Sequence, residues 1–202
     1  ENNDISVIDL NKKVEEINTK RHEESVLSIK IDGNHMITAS DNGEIFTWDF
    51  DSEEFKNKFT NDFRCNSISY NREDSKLVLA GVKSEKDGRK TYKIATCTVG
   101  DDMWEAKSDE VNSLEVEEII NSEEIIDIAQ NESGIVFIEE NKLSVNGIET
   151  KLDKVATTLA TKFDSNDVFV GFEDGSIVKY GGATFDDGIN FQLQKSKSWA
   201  IR

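Results

Sequence analysis

HEESVLSIKIDGNHMITASDNGEIFTWD, residues 22–49, decides how the rest of this 202-residue chain is read. A histidine opens the segment. Two stretches that alternate apolar and polar side chains follow, at residues 26–31 and 35–40, and a third runs from 45 to 50. Alternation of that period places successive side chains on opposite faces of an extended strand. Between the second and third stretches, Asn42-Gly43 sets a residue that tolerates positive φ beside a glycine, which suits a type I′ hairpin turn. The third stretch contains Trp48-Asp49. The segment reads as one nearly complete repeat unit.

Working outward, comparable stretches fall at residues 5–10, 66–70, 76–82, 90–99, 125–129, 134–139, 142–146, 156–163, 168–172, 176–180 and 190–194. Hairpin signals recur at Asp32-Gly33, Asp87-Gly88, Asn146-Gly147 and Asp174-Gly175. Long helical periodicity is absent, so the chain reads as all-β. Residues 115–128, EVEEIINSEEIIDI, space their isoleucines in a way a helix also permits. The Asn-Ser break between two EEII units, and the acids that would crowd one helix face, favour strand–turn–strand. The strands group at a period of about 40–45 residues, the spacing of a four-stranded propeller blade. Residues 1–20 then read as the end of a preceding blade, with blades at 21–60, 61–107, 108–152 and 153–202.

The residues of the opening segment resemble the WD40 family of β-propellers. In that family a His before the first strand, a Ser or Thr in the second, an acid at the following turn and a Trp in the third are joined by hydrogen bonds. Those roles fall on His22, Thr38, Asn42 and Trp48, with Asp49 completing the Trp-Asp pair. Two departures stand out: Arg21 replaces the usual Gly before the His, and Asn42 replaces the acid. An amide still accepts from imidazole but without charge assistance, so Asn42→Asp is expected to stabilise the fold modestly. The last blade has Asp174 at the turn but Val170 and Tyr180 where the hydroxyl and indole belong. The resemblance implies a WD40-like β-propeller of about four to five four-stranded blades, forming part of a larger ring. The opening Glu, in place of Met, is read as the start of a fragment or of a processed chain.

Composition narrows the function. The net charge of −17, from 41 acidic and 24 basic residues, disfavours direct contact with nucleic acid or anionic membrane and favours basic protein segments. No apolar run is long enough to span a bilayer. Two histidines and the scattered Cys65 and Cys97 make no zinc set. No glycine-rich phosphate loop is present, so neither metal nor cofactor is expected. Both cysteines read as reduced, largely buried thiols. His22, Thr38 and Asn42 superficially suggest a hydroxyl–imidazole–amide relay, but the repeat already gives each a structural bond, and no catalytic residue is assigned.

The resemblance implies a non-enzymatic protein–protein interaction scaffold or adaptor in a eukaryotic multiprotein complex, nuclear or cytoplasmic. Its partners would be basic segments such as those of histone-like or ribosomal proteins. Candidate contact residues are Arg21, Glu44, Arg64 and Lys83 near the turns, and Trp104 and Trp199 as exposed aromatics. The competing reading is a propeller hydrolase with acids in its central channel.

Overall fold

The computed structural model describes residues 4–7, 17–20, 22–49, 54–100, 102–105, 111–113, 116–121, 123–162, 164–181 and 189–191. The strands in chain order begin with β1 (Asp4–Val7) and β2 (Ile17–Lys20), an antiparallel pair. A first blade follows from β3 (Val26–Asp32), β4 (His35–Ser40), β5 (Glu44–Asp49) and β6 (Glu54–Thr60). A second contains β7 (Arg64–Asn71), β8 (Lys76–Ser84) and β9 (Lys90–Thr98), after which comes one helical turn, α1 (Asp102–Glu105). Next are β10 (Val111–Ser113) and β11 (Glu117–Asn121). The third blade is β12 (Asp127–Asn131), β13 (Gly134–Ile138), β14 (Lys142–Val145) and β15 (Ile148–Lys151). The fourth is β16 (Ala156–Thr161), β17 (Val168–Phe172), β18 (Ile177–Tyr180) and β19 (Ile189–Phe191). The chain is an all-β, four-bladed β-propeller whose inner strands are β3, β7, β12 and β16.

Period-2 side-chain alternation builds the core between blades. On β8, Leu77 and Leu79 pack toward the first blade beside Ile37 and Ile45. Val78 and Ala80, on the opposite face, pack toward Ile125 and Ile128 of the third. A third cluster, including Val136, Leu143, Leu159 and Phe172, joins the third and fourth blades. A strand buried on both faces needs apolar residues at consecutive positions, which is why KLVLAGV reads as a continuous run. Each fully buried Leu or Val contributes about 1.5–3 kcal/mol relative to exposure.

Two strands depart from the expected boundaries. Residues 111–121 were expected to open the third blade. Instead β10 lies parallel along β6 of the first blade, and β11 pairs antiparallel with β9 to complete the second. Period-2 patterning marks a strand but does not identify its neighbour, so only the assembled sheets locate these two. Within residues 115–128 the strand–turn–strand reading holds, as β11 and the start of β12.

The turns also differ from expectation. Asn146 and Gly147 both have positive φ, 48° and 81°, as type I′ requires. At Asp32-Gly33, Asn42-Gly43, Asp87-Gly88 and Asp174-Gly175, only the glycine is positive. In three of these the glycine N–H closes an i→i+3 turn onto Ser40, Glu85 or Phe172, a type I turn followed by a glycine bulge. The preceding Asx side chain accepts from the N–H two residues on: Asn42 from Glu44, Asp87 from Arg89, and Asp174 from Ser176. That side-chain bond favours the type I form over type I′.

Candidate functional site

The first blade gathers the residues expected to form its hydrogen-bonded chain. His22 Nε2 lies 2.7 Å from Thr38 Oγ1, and Trp48 Nε1–H donates to the same oxygen at 3.1 Å. The Thr38 hydroxyl accepts from the indole and also bonds His22 Nε2, as donor or acceptor according to the imidazole tautomer. The His22 ring stacks on Phe46 with centroids 4.2 Å apart. Thr38 and Trp48 project from neighbouring strands β4 and β5 on the face away from the second blade, with Met36 and Phe46.

Asn42 does not take the place expected of it. Its Oδ1 accepts from Ser40 Oγ at 2.6 Å and from the Glu44 N–H at 3.3 Å. The carboxylate facing the imidazole is that of Glu44, whose Oε2 stands 3.8 Å from His22 Nδ1. That gap is too long for a hydrogen bond, so the carboxylate acts on the ring through its charge. Glu44 also binds the Lys58 ammonium and accepts from the Glu23 N–H at 3.1 Å. Burial pushes its carboxyl pKa up, but Lys58, the Glu23 amide and Asn42 together hold it below its ordinary value. Burial dominates at His22 and lowers its pKa to about 4, against the opposing pull of Glu44, so the ring is neutral at pH 7. Hydroxyl, imidazole and carboxylate stand in sequence as they do in a nucleophile relay. Thr38 is 0% exposed and its oxygen is shared with an indole, so no substrate atom reaches it.

A channel runs between the four inner strands. One cavity of about 550 Å³ is bounded by residues of β3, β7, β12 and β16. A second, of about 670 Å³, opens where those strands end, beside Lys30, Asp32, Tyr70, Arg72 and Gln130. Asp127, at the start of β12, ties three blades together at the channel. Its Oδ1 accepts from Ser67 Oγ at 2.7 Å and the Ile128 N–H at 2.9 Å. Its Oδ2 accepts from Thr158 Oγ1 and the Leu159 N–H, each at 3.0 Å. Gln130 extends the seam, donating to Ser69 O at 3.1 Å and Lys76 O at 3.2 Å. Its carbonyl accepts from Thr161 Oγ1 at 2.7 Å. The sequence reading missed Asp127. In EEIIDI it is one acid among several, and only its position as the first residue of an inner strand sets it apart.

The expected contact residues scatter. Arg64 is half exposed and binds Asp41 at 2.7 Å, and Lys83 binds Asp62 at the surface. Glu44, expected at the surface, is 4% exposed and belongs to the His22 network. Trp104, expected to be exposed, is buried: α1 tucks it against His35, with ring centroids 4.0 Å apart, and against Tyr70. The same turn places Met103 O where Thr47 Oγ1 and Asn57 Nδ2 donate to it, at 3.1 and 2.9 Å. Arg21 and Trp199 lie outside the described residues. Cys65 and Cys97 are free and buried, and burial pushes their thiols up to about 12 and about 11. Among the described residues, no three His, Cys, Asp or Glu side chains group to hold a metal ion. No helix there is long and apolar enough to cross a membrane. No protein-family model matches the chain, and no curated protein matches it.

Proposed function

We propose that this chain is a non-enzymatic, WD40-like interaction scaffold that engages basic protein segments through its acidic surface, within a nuclear or cytoplasmic eukaryotic assembly. The observation that carries the reading is a four-bladed propeller bearing a net charge of −17. A propeller offers recognition surfaces around a fixed frame, and a strong negative field steers cationic segments toward them. The bonds among His22, Thr38 and Trp48 support the WD40-like assignment. Asp127, the inner-strand acid best placed for channel chemistry, has both oxygens committed to hydroxyl and amide donors. That commitment favours an architectural role over a hydrolytic one.

The test is a panel of lysine- and arginine-rich peptides titrated against the chain by fluorescence anisotropy at several salt concentrations. Affinity should fall steeply as ionic strength shortens the Debye length from about 30 Å at 0.01 M to about 8 Å at 0.15 M. Binding that ignores salt, or that prefers acidic peptides, would overturn the reading.

A further inference from the structure

Three outer strands differ in what guards their free edge. β6 is covered, because β10 lies parallel along it with Val111 opposite Lys58 and Ser113 opposite Thr60. β15 exposes Ile148 but is four residues long and ends on exposed Lys151; short length and an edge lysine both discourage strand addition. Among the described residues no strand lies along the outer edge of β11, and its five residues include no lysine. It is the terminal strand of its sheet, bonded to β9 on one side, so alternate backbone N–H and C=O groups point away from β9. Ile119 and Ile120 on this strand are 53% and 72% exposed. Acids flank them: Glu117 and Glu118 before, and exposed Glu123 and Glu124 after. Glu118 is held by Lys93 at 2.8 Å.

We propose that the outer edge of β11 is a docking site for an extended basic segment of a partner protein, which adds as a fifth strand to the second blade. The inference rests on the scaffold reading above and names the surface that would serve it. Main-chain bonds along the edge would supply affinity. Each face of β11 presents one glutamate and one isoleucine, Glu117 with Ile119 and Glu118 with Ile120, so an incoming strand with two consecutive apolar residues beside two consecutive cations would set apolar groups on the isoleucines and cations on the glutamates. The charge pattern selects the occupant. A second copy of this edge would bring Glu117, Glu118, Glu123 and Glu124 against the same acids, whereas a lysine- or arginine-bearing strand would be drawn in. The molecule already contains one such addition, since β10 joins the outer edge of the first blade from outside its own sheet.

The probe is a short synthetic peptide with two consecutive valines beside two consecutive lysines, with a counterpart N-methylated at alternate residues so that it cannot donate to the edge. The unmodified peptide should bind. The N-methylated form and the Ile120→Arg variant should each weaken binding about tenfold or more, as expected when a strand-addition mode loses its donors or gains a like charge. Ile148→Arg on β15 should leave affinity unchanged. Ile120→Thr keeps a β-branched residue, and about threefold weaker binding is expected if Ile120→Arg fails to fold. Salt-sensitive binding that ignores both N-methylation and the Ile120 variants would overturn the edge site and leave the scaffold reading standing. Failure of every basic peptide to bind would overturn both. A concentration-dependent dimer in sedimentation, abolished by Ile120→Arg, would overturn the basic occupant in favour of a second copy.

Discussion

In the first blade, Thr38 gathers an imidazole and an indole around one buried hydroxyl; in the fourth, Val170 is equally buried and offers neither bond. The two positions correspond in register. Thr38 pairs with Phe46 four residues before Asn42, and Val170 pairs with Val178 four residues before Asp174. Tyr180 likewise stands where Trp48 does. The fourth blade fixes its turn instead through Lys154, which binds Asp174 at 2.8 Å and Ser176 Oγ at 2.9 Å, with its ammonium over the Phe172 ring. What the blades share is backbone: the Asx-Gly turn and a bulge in the inner strand, after Val26 in one and Ala156 in the other. The comparison teaches that the polar chain is one way to fill a blade and that an apolar filling is another. A buried network is stabilising only while all of its members are satisfied.

Exchanging the two fillings is the sharpest way to break that comparison. Thr38→Val keeps shape but strands His22 Nε2 and Trp48 Nε1–H in the interior. At about 1–3 kcal/mol for each of the two unsatisfied buried groups, the expected loss is about 2–6 kcal/mol. Val170→Thr in the fourth blade buries one hydroxyl in an apolar site, at an expected cost of about 1–3 kcal/mol. Urea unfolding of both variants checks the order. Equal losses, or a larger one at Val170, would show that the polar chain has no special weight in the first blade.

Acid separates the same two regions by pH window. His22 has a native pKa of about 4 against an ordinary 6.5. Its neutral form is therefore the folded one, and the unfolded chain takes up the proton first. The stability it contributes is complete above pH 6.5 and declines as pH falls toward 4, by up to about 3 kcal/mol at 1.36 kcal/mol per pKa unit. Asp174 in the fourth blade is shifted in the same direction but from a lower starting point, held below its ordinary 3.8 chiefly by Lys154 and by Ser176. Its contribution is present above pH 3.8 and is lost only below it. Unfolding free energy measured from pH 8 to 3 should fall first through the His22 window, and His22→Gln should flatten that window alone. A wild-type curve flat between 6.5 and 4 would contradict the buried neutral ring.

The sequence carries the strands and the places of their turns, because period-2 alternation and Asx-Gly pairs are local signals, whereas the bonds among His22, Thr38 and Trp48 were expected only through the resemblance of residues 22–49 to the WD40 pattern. It does not carry what depends on neighbours brought together by folding. Val111–Ser113 reaches β6 across the intervening β7, β8, β9 and α1, and nothing in its three residues names that partner. Trp104 is buried because α1 turns inward onto His35, a contact that no local pattern announces. Asp127 becomes a three-blade tie only once Ser67 and Thr158 stand beside it. The substitution of Glu44 for Asn42 as the carboxylate of the first blade has the same origin. Both side chains sit at the turn, and only three-dimensional placement turns Glu44 toward the imidazole.

That last point reverses the expectation for Asn42→Asp, the smallest effect considered. If Asn42 were the acceptor for His22, a carboxylate there would strengthen the bond and stabilise the blade. Here the Asn42 side chain accepts from Ser40 and the Glu44 N–H and helps hold the Glu44 carboxylate in its charged form. An aspartate would keep the acceptor but remove the amide donor and set a second negative charge beside Glu44. Asn42 is exposed, so water and salt screen most of that repulsion, leaving an expected loss of about 0.5–1 kcal/mol. The loss should shrink as salt is raised, and Asn42→Asp made in a Glu44→Gln background should cause no further loss relative to Glu44→Gln alone, because the repelling partner is then neutral. A gain in stability from Asn42→Asp would return the acceptor role to Asn42 and place Glu44 outside the network.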